Sequence, residues 1–457
     1  MDNKLAADYN ATRQVKNHHS FCNAPSLNMY FSQNGDVKVC CHNSQFTLGT
    51  YPKQTIKEIW SSSKAKELRE HMRKFDLSYG CEVCQMDINL RAFNQVQARH
   101  FDPRPLHPEY PTMMEFLISN KCNLECTMCQ GEYSSLIRKN REKLPPLEFP
   151  YDNKFITQLE EFIPHLHEAR FSGSGEAFLI DMNYDIWEMI IKINPDCIIM
   201  VQTNGTILTQ RAKEILNRGN FQIGVSLDSL DKKTYERIRL NANHEKMMEN
   251  IRWFSNYSSE KKRYFMLAMC VMRQNWKELP AFIKLCNELN AAAVLHKVWS
   301  PTEFALFNLP FPALEDIQSE LSTFTFKHSN SLEKQNYETF NYFLSVIKKW
   351  KDNAEEKNEN INEISSMNTQ QILTLFLLKI EQAIDIMPIE FEDKVSSKKI
   401  FRSRFDKILA SLNTLEQLLL LKQLYVENPQ QIIDGVKQLS DEKIYDNIKL
   451  ILRSAEA

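Results

Sequence analysis

Between residues 111 and 300 the chain alternates short apolar runs with amphipathic stretches, and that alternation restricts the fold more than any other feature. The strand-like runs are MEFLIS (114–119), ARFSGS (169–174), IIMVQT (198–203), FQIGVSL (221–227), YFMLAMCVM (264–272) and AVLHKV (293–298). Helix-like segments such as FITQLEEFIPHLHEA, YDIWEMIIKIN and LPAFIKLCNELNAAA fall between them. Strands separated by helices build a parallel sheet with right-handed crossovers. Six such units suit an α/β fold of the partial (β/α)6 TIM-like barrel kind, whose chemistry gathers at the C-terminal strand ends. A doubly wound open sheet obeys the same periodicity and remains the alternative.

A chain of 457 residues exceeds one typical domain. We divide it into residues 1–110, a small α+β Cys-rich module; 111–310, the barrel; and 311–457, an all-α region. In the first part LNMYFSQ and DVKVCC flank Asn34-Gly35, a type I′ hairpin signature that sets Met29 opposite Cys40. Thr55 with Glu58 forms a capping box opening a helix over about 55–74, with Ile56, Ile59, Trp60, Leu68 and Met72 at helical spacing. Prolines at 103, 105, 108 and 111 mark a linker. In the last part Tyr337, Phe340, Leu344 and Ile347 recur at helical spacing, as do Phe401, Phe405, Ile408, Leu412, Leu415 and Leu419. The polar KDNAEEKNENINEISS reads as a mobile loop.

A formal net charge of -2 excludes a globally basic nucleic-acid binder. No apolar run reaches the roughly 18 residues of a bilayer span, and MDNKLAADYN lacks a secretory layout. These features predict a soluble cytoplasmic protein with neither nucleic acid nor membrane as partner. Eight of the 11 cysteines lie between Cys22 and Cys129. An odd count without an export signal favours metal ligation over disulfides. Cys197, Cys270 and Cys286 sit in apolar stretches and read as buried small hydrophobes.

The segment NKCNLECTMCQGEYSS directly follows the first barrel strand. Cys122, Cys126 and Cys129, spaced four and then three residues apart, can curl around one cubane and bind three of its four irons. A structural zinc takes four protein ligands, and no fourth Cys or His follows at finger-like spacing. The remaining iron is then free to bind a substrate or cofactor. Ahead of the barrel, Cys22, Cys40, Cys81 and Cys84 come from three segments and make a closed four-thiolate site for an iron–sulfur cluster or zinc. Cys41, beside Cys40 on an extended strand, points to the opposite face.

Taken in order, these elements resemble the radical S-adenosylmethionine (radical SAM) superfamily over roughly residues 111–300. C-x3-C-x2-C after the first strand is followed by Gly173-Ser174-Gly175-Glu176, similar to a GGE element, by Thr203-Asn204-Gly205, similar to T-N-G, and by Ser226-Leu227-Asp228, similar to S-L-D. Arg239 in YERIRL resembles the arginine that comes next. Met128 stands where an aromatic residue is frequent, Ser174 where glycine is usual, and Ala177 where proline is usual. Alone, each landmark reads as a turn, a helix cap or a surface arginine; the joint order carries the resemblance.

The resemblance implies a 4Fe–4S cluster with an open iron on Cys122, Cys126 and Cys129, and bound SAM. It implies cofactor contacts at Met128, Gly173, Ser174, Gly175, Glu176, Thr203, Asn204, Ser226, Asp228 and Arg239. The glycine-rich strand end and Glu176 would accept hydrogen bonds from the SAM ammonium. Ser226 would hold a ribose hydroxyl or the carboxylate, and Arg239 would pair with that carboxylate. FCNAPSLNMYFSQNGDVKVCC…CEVC resembles the SPASM/twitch auxiliary-cluster module, here before the barrel rather than after it. An electron donor such as flavodoxin or ferredoxin is implied as well.

The expected function is reductive cleavage of SAM to a 5′-deoxyadenosyl radical that abstracts hydrogen from a peptide or protein substrate. A sugar or other small metabolite is the alternative substrate, and a non-catalytic iron–sulfur protein of electron transfer or assembly the alternative class. The C-terminal helices would hold a partner or peptide. The sequence nominates no general base.

Overall fold

The computed structural model describes residues 3–13, 19–43, 45–89, 91–387 and 391–456. The strands, in chain order, are β1 (Asn28–Phe31), β2 (Asp36–Lys38), β3 (Gly49–Thr50), β4 (Met113–Phe116), β5 (Glu125–Cys126), β6 (Glu168–Phe171), β7 (Ile198–Thr203), β8 (Phe221–Ser226), β9 (Arg239–Leu240), β10 (Phe265–Val271) and β11 (Ala292–Lys297). Among the described residues nine form one sheet in the order β11-β10-β8-β7-β6-β4-β1-β2-β3, and β5 pairs separately with β9. Strands β4, β6, β7, β8, β10 and β11 run parallel. This is the six-unit array the alternation predicts, and it is open: β11 and β3 are its edges.

Helices Asp181–Ile193, Gln210–Arg218, His244–Glu260 and Leu279–Glu288 connect the parallel strands and bury one apolar stripe each. Trp187 is fully buried among Phe171, Phe178, Tyr184 and Phe221. Truncating such a side chain to alanine costs about 3–5 kcal/mol.

The N-terminal hairpin does not form a sheet of its own. β1 joins β4 in parallel, with Tyr30 beside Glu115 and Phe31 beside Phe116, so the hairpin lengthens the barrel sheet. Its register differs by one residue from the expectation. Tyr30 faces Lys38 and Phe31 faces Val37, which puts Met29 opposite Val39 rather than Cys40. The reason is a three-residue loop. Ser32 N donates to Asp36 O at 2.9 Å, and only Gly35 has a positive φ, +88°, whereas a type I′ turn needs one at both central residues. A Cβ on Gly35 would meet Tyr51 O at 2.2 Å, so glycine is required there.

The capping box of Thr55 and Glu58 forms. The helix expected over 55–74 is two: Ile56–Trp60 ends at Ser61, and Ser62 caps Ser63–Arg73. The expected loop at 351–366 is mostly helix, because Ser331–Ile364 continues through it. That segment has no glycine or proline, and its Lys, Glu, Asn and Ala residues tolerate a solvated helix.

Contacts divide the chain into two compact units, residues 1–306 with 321–343, and residues 307–320 with 344–457. The second is all helix. Its core includes Ile372, Phe376, Ile380, Phe401, Phe405, Leu420 and Leu421, and Asn368 and Asn413 open two of its helices with capping boxes.

Candidate functional site

The loop that leaves β4 carries Cys122, Cys126 and Cys129, and neighbouring groups hold it in shape. Cys122 N donates to Ser135 Oγ at 3.2 Å, and Ser134 Oγ donates to Leu124 O at 2.7 Å. Ser134 also accepts from Ile137 N as N-cap of the helix Ser135–Asn140. Asn120 Nδ2 donates to Gly131 O at 2.9 Å. Cys129 N donates to Cys126 O at 3.1 Å, which folds the C-x2-C spacing into a turn. The Arg141 guanidinium donates to the carbonyls of Cys126 and Cys129.

Cys126 lies on β5 opposite Arg239 of β9. Arg239 Nε donates to Asp228 Oδ2 at 2.7 Å, and its Nη1 is 3.9 Å from Cys126 Sγ. Burial works against the Arg239 cation, but Asp228 and Cys126 outweigh it and keep the side chain protonated. Burial pushes Cys126 up to about 12; Arg239 opposes this, while Asp228, Cys129 and Cys122 add to it. Thiols in such a setting ionise only against a strong local cation, which bound iron supplies. Three thiols carried on one loop therefore fit a cluster with one iron left open, and Cys270, half-buried rather than fully buried, lies near enough to Cys126 and Cys129 for both to raise its titration. Met128 packs on Ile238, Met272 and Val298.

The strand ends beside the cluster loop interlock. Gly173 and Gly175 have φ of +89° and +64°. A Cβ on Gly175 would lie 2.8 Å from Lys121 O and 3.0 Å from Ser119 O, so glycine lets the loop close on the cysteine segment. Gly175 N donates to Tyr133 O at 3.0 Å and Glu176 N to Lys121 O at 2.8 Å. Ser174, in place of the usual glycine, donates through Oγ to Ser119 O at 2.8 Å.

Two residues expected to touch the cofactor are engaged with neighbouring strand ends. Glu176 is fully buried, and its carboxylate accepts from Thr203 Oγ1 at 2.6 Å, Asn204 N at 2.7 Å and Phe178 N at 3.2 Å. It ties the second strand end to the third rather than reaching outward. Burial raises its titration, and those three donors pull it back. Asp228 is fully buried too; besides Arg239 it accepts from Cys270 N at 2.8 Å. Asn204 Nδ2 donates to Asn123 Oδ1 at 2.9 Å, linking T-N-G to the cluster loop. Ser226 is half-buried at the end of β8, and its Oγ accepts from Gln202 Nε2 at 3.0 Å.

Sheet register sets Tyr30, Glu115 and Arg170 side by side on one face. Glu115 accepts from Asn28 Nδ2 at 2.6 Å, and burial raises its titration. Arg104 pairs with Glu168 at 3.1 Å, and Arg170 pairs with the same carboxylate.

Ahead of the barrel, Cys22, Cys40, Cys81 and Cys84 line one small cavity of about 20 Å³, walled otherwise by residues such as Phe21, Val39, Met72 and Phe101. Cys41 is exposed and does not line it. Burial holds Cys22 and Cys40 well above the usual thiol range and pushes Cys81 up to about 12 and Cys84 up to about 11. Among the described residues no three His, Cys, Asp or Glu converge closely enough to hold a single ion. A cubane keeps its thiolates further apart than one tetrahedral ion does, so this donor set fits a cluster.

Several participants carried no sequence signal: Gln33, Asn123, Arg141 and Asn275, which donates to Asp228 O at 2.6 Å. Ser134-Ser135 could have been found as an N-cap ahead of the apolar LI pair.

Family comparison agrees with this geometry. Residues 116–286 match the radical SAM superfamily and residues 22–85 the SPASM iron–sulfur cluster-binding domain. Residues 116–286 therefore carry a radical SAM domain, and a SPASM module precedes it in the chain. The first domain implies a 4Fe–4S cluster and SAM, and the second an auxiliary iron–sulfur cluster in place of the zinc alternative.

Among curated relatives, the probable GTP 3′,8-cyclase of Methanocaldococcus jannaschii is 28% identical over 176 residues, covering 38% of this chain and 54% of its own. The GTP 3′,8-cyclase of Aliarcobacter butzleri is 25% identical over 136 residues, covering 29% and 40%. This chain thus spans about half the length of such relatives, or less. Among solved structures, anSMEcpe with bound AdoMet superposes with a TM-score of 0.35 at 18% identity, covering 46% of this chain and 59% of that one. Streptococcus suis SuiB bound to S-adenosylmethionine gives 0.33 at 12% identity, covering 56% and 60%. Among the described residues no helix is long and apolar enough to cross a membrane.

Proposed function

We propose that this chain is an enzyme that cleaves SAM reductively at the barrel site and uses the resulting radical on a small metabolite. The observation that carries the reading is the set of three thiols on one loop beside an interlocked set of strand ends. Cys122, Cys126 and Cys129 would hold the cluster, and Cys22, Cys40, Cys81 and Cys84 the auxiliary one. When bound, the reduced cluster and SAM supply one-electron cleavage of the sulfonium, giving methionine and a 5′-deoxyadenosyl radical.

The protein's part is orientation. Backbone groups of Gly173, Ser174 and Gly175, with Thr203, Asn204 and Ser226, frame SAM, while Glu176 and Asp228 fix those strand ends from behind. Arg239, held by Asp228, keeps a cation next to Cys126. Met128 closes the apolar side of the loop. We assign residues 1–110 to the auxiliary module, 111–310 to the barrel and 311–457 to a helical region.

The named activity of the curated relatives supports a small metabolite over a peptide. A peptide or protein is the second reading, favoured by the auxiliary module, which in this superfamily often accompanies peptide modification. Anaerobically reconstituted protein with reductant and SAM should release 5′-deoxyadenosine. Release that accelerates with small metabolites supports the first reading, acceleration only with peptides supports the second, and none from fully loaded protein overturns both.

A further inference from the structure

The N-terminal hairpin does more than extend the sheet. Gln33, in its loop, is 8% exposed. Its Nε2 donates to Glu132 O at 2.7 Å and also to Ser174 Oγ. Glu132 belongs to the segment that follows Cys129, and Ser174 to the glycine-rich strand end. One amide thus clasps both loops that frame the SAM position. Ser174 relays the contact, since its Oγ donates to Ser119 O at 2.8 Å. The same loops meet at Gly175 N to Tyr133 O, 3.0 Å, and Glu176 N to Lys121 O, 2.8 Å. Ser174 also departs from the family's usual glycine, which offers no hydroxyl for such a clasp.

Both ends of the clasp are constrained. Gln33 follows Ser32, whose N donates to Asp36 O at 2.9 Å, and Gly35 is pressed against Tyr51 O, where no larger residue fits. A buried amide held this way loses little freedom when it bonds, and a buried donor left without its acceptor is costly. The hairpin's return strand leads on to Cys40, so the auxiliary module is built into the frame of the SAM site.

We infer that Gln33 is a positioning residue for SAM: through Ser174 and Glu132 it sets the spacing of the two loops that bind the cofactor. The inference rests on residues 173–175 framing SAM, as proposed above. The test uses the full chain, anaerobically reconstituted, and measures the SAM dissociation constant, the KM for SAM, the rate at saturating SAM, iron per chain and Tm. Gln33→Ala should weaken SAM binding by about tenfold, the loss of one buried hydrogen-bonding amide. KM should rise while the saturated rate and iron content hold.

Gln33→Glu, which keeps the shape and removes the Nε2 donor, should behave like the alanine variant and serves if alanine does not fold. Ser174→Gly should cost about twofold to threefold, because Gln33 keeps Glu132, and combined with Gln33→Ala it should add almost nothing. SAM affinity within twofold of wild type in both Gln33 variants, at full iron, overturns the inference alone. A fall in Tm without a change in affinity does the same. Fully loaded wild type that binds no SAM overturns the proposed function with it.

Discussion

The two cysteine sites use the same ligand in opposite settings. The barrel site takes its three thiols from a single loop, Cys122 to Cys129, set among polar strand ends and hydrogen-bonded on every side. The N-terminal site draws four thiols from three separate segments into a cavity with mainly apolar walls. A loop that supplies three thiols leaves one corner of a cubane open; four thiols brought together by packing can close it. Open access suits cofactor exchange, and closure suits storage or transfer of an electron. The Gln97–Phe101 turn borders the N-terminal cavity. Ala98 and Phe101 wall the cavity, while His100 sits close to Arg104 and Arg170.

Removing one thiol from each site tests that contrast most severely. Cys126→Ala should abolish 5′-deoxyadenosine release and strip about four irons per chain, the cubane complement. A variant that keeps its cluster and still cleaves SAM would break the three-thiol assignment. Cys84→Ala should leave the barrel cluster's spectrum in place, lose the other four or so irons and lower Tm, because a closed site couples metal binding to folding. Cys41→Ala, outside the cavity, should change neither iron count nor Tm; parity of the two variants in iron analysis would refute the four-thiol assignment.

A third prediction concerns the turn beside the cavity. Burial, with Arg170 and Arg104 nearby, lowers His100 to about 3. The unfolded chain takes up this proton near pH 6.5, but the folded chain resists it until far lower. Stability from this residue is therefore present above about pH 6.5 and lost as pH falls toward 3, on the order of 1 kcal/mol per pH unit. His100→Gln should flatten that part of the pH–stability curve measured by denaturant unfolding. A curve identical to wild type would show that the turn carries no such penalty.

Much of the fold was legible because it rests on local pattern. All six parallel strands lie within or next to the runs read from apolar periodicity, and the three barrel cysteines follow the first of them. The four N-terminal cysteines that meet in the cavity are those singled out from spacing. Where reading failed, a non-local or conformational choice decided. The hairpin register turned on whether one residue or two adopts positive φ, which the pair Asn34-Gly35 permits either way. The expected loop at 351–366 is mostly helix, a difference that arises because hydrophobicity says little about a solvated helix. Gln33 and Ser174 lie 141 residues apart, and neither residue type signals the other.

The sequence by itself determined which cysteines share one loop, which come from separate segments, and the order of the strand ends that follow the first group, since these follow from spacing along one chain. Only the tertiary structure decided direction. It turned Glu176 and Asp228 inward to brace the strand ends, aimed Gln33 at two distant loops and gathered Cys22, Cys40, Cys81 and Cys84 around one cavity. The physical reason is that a buried polar group must find its partner within about 3 Å, and which groups come that close is settled by packing between segments far apart in the chain.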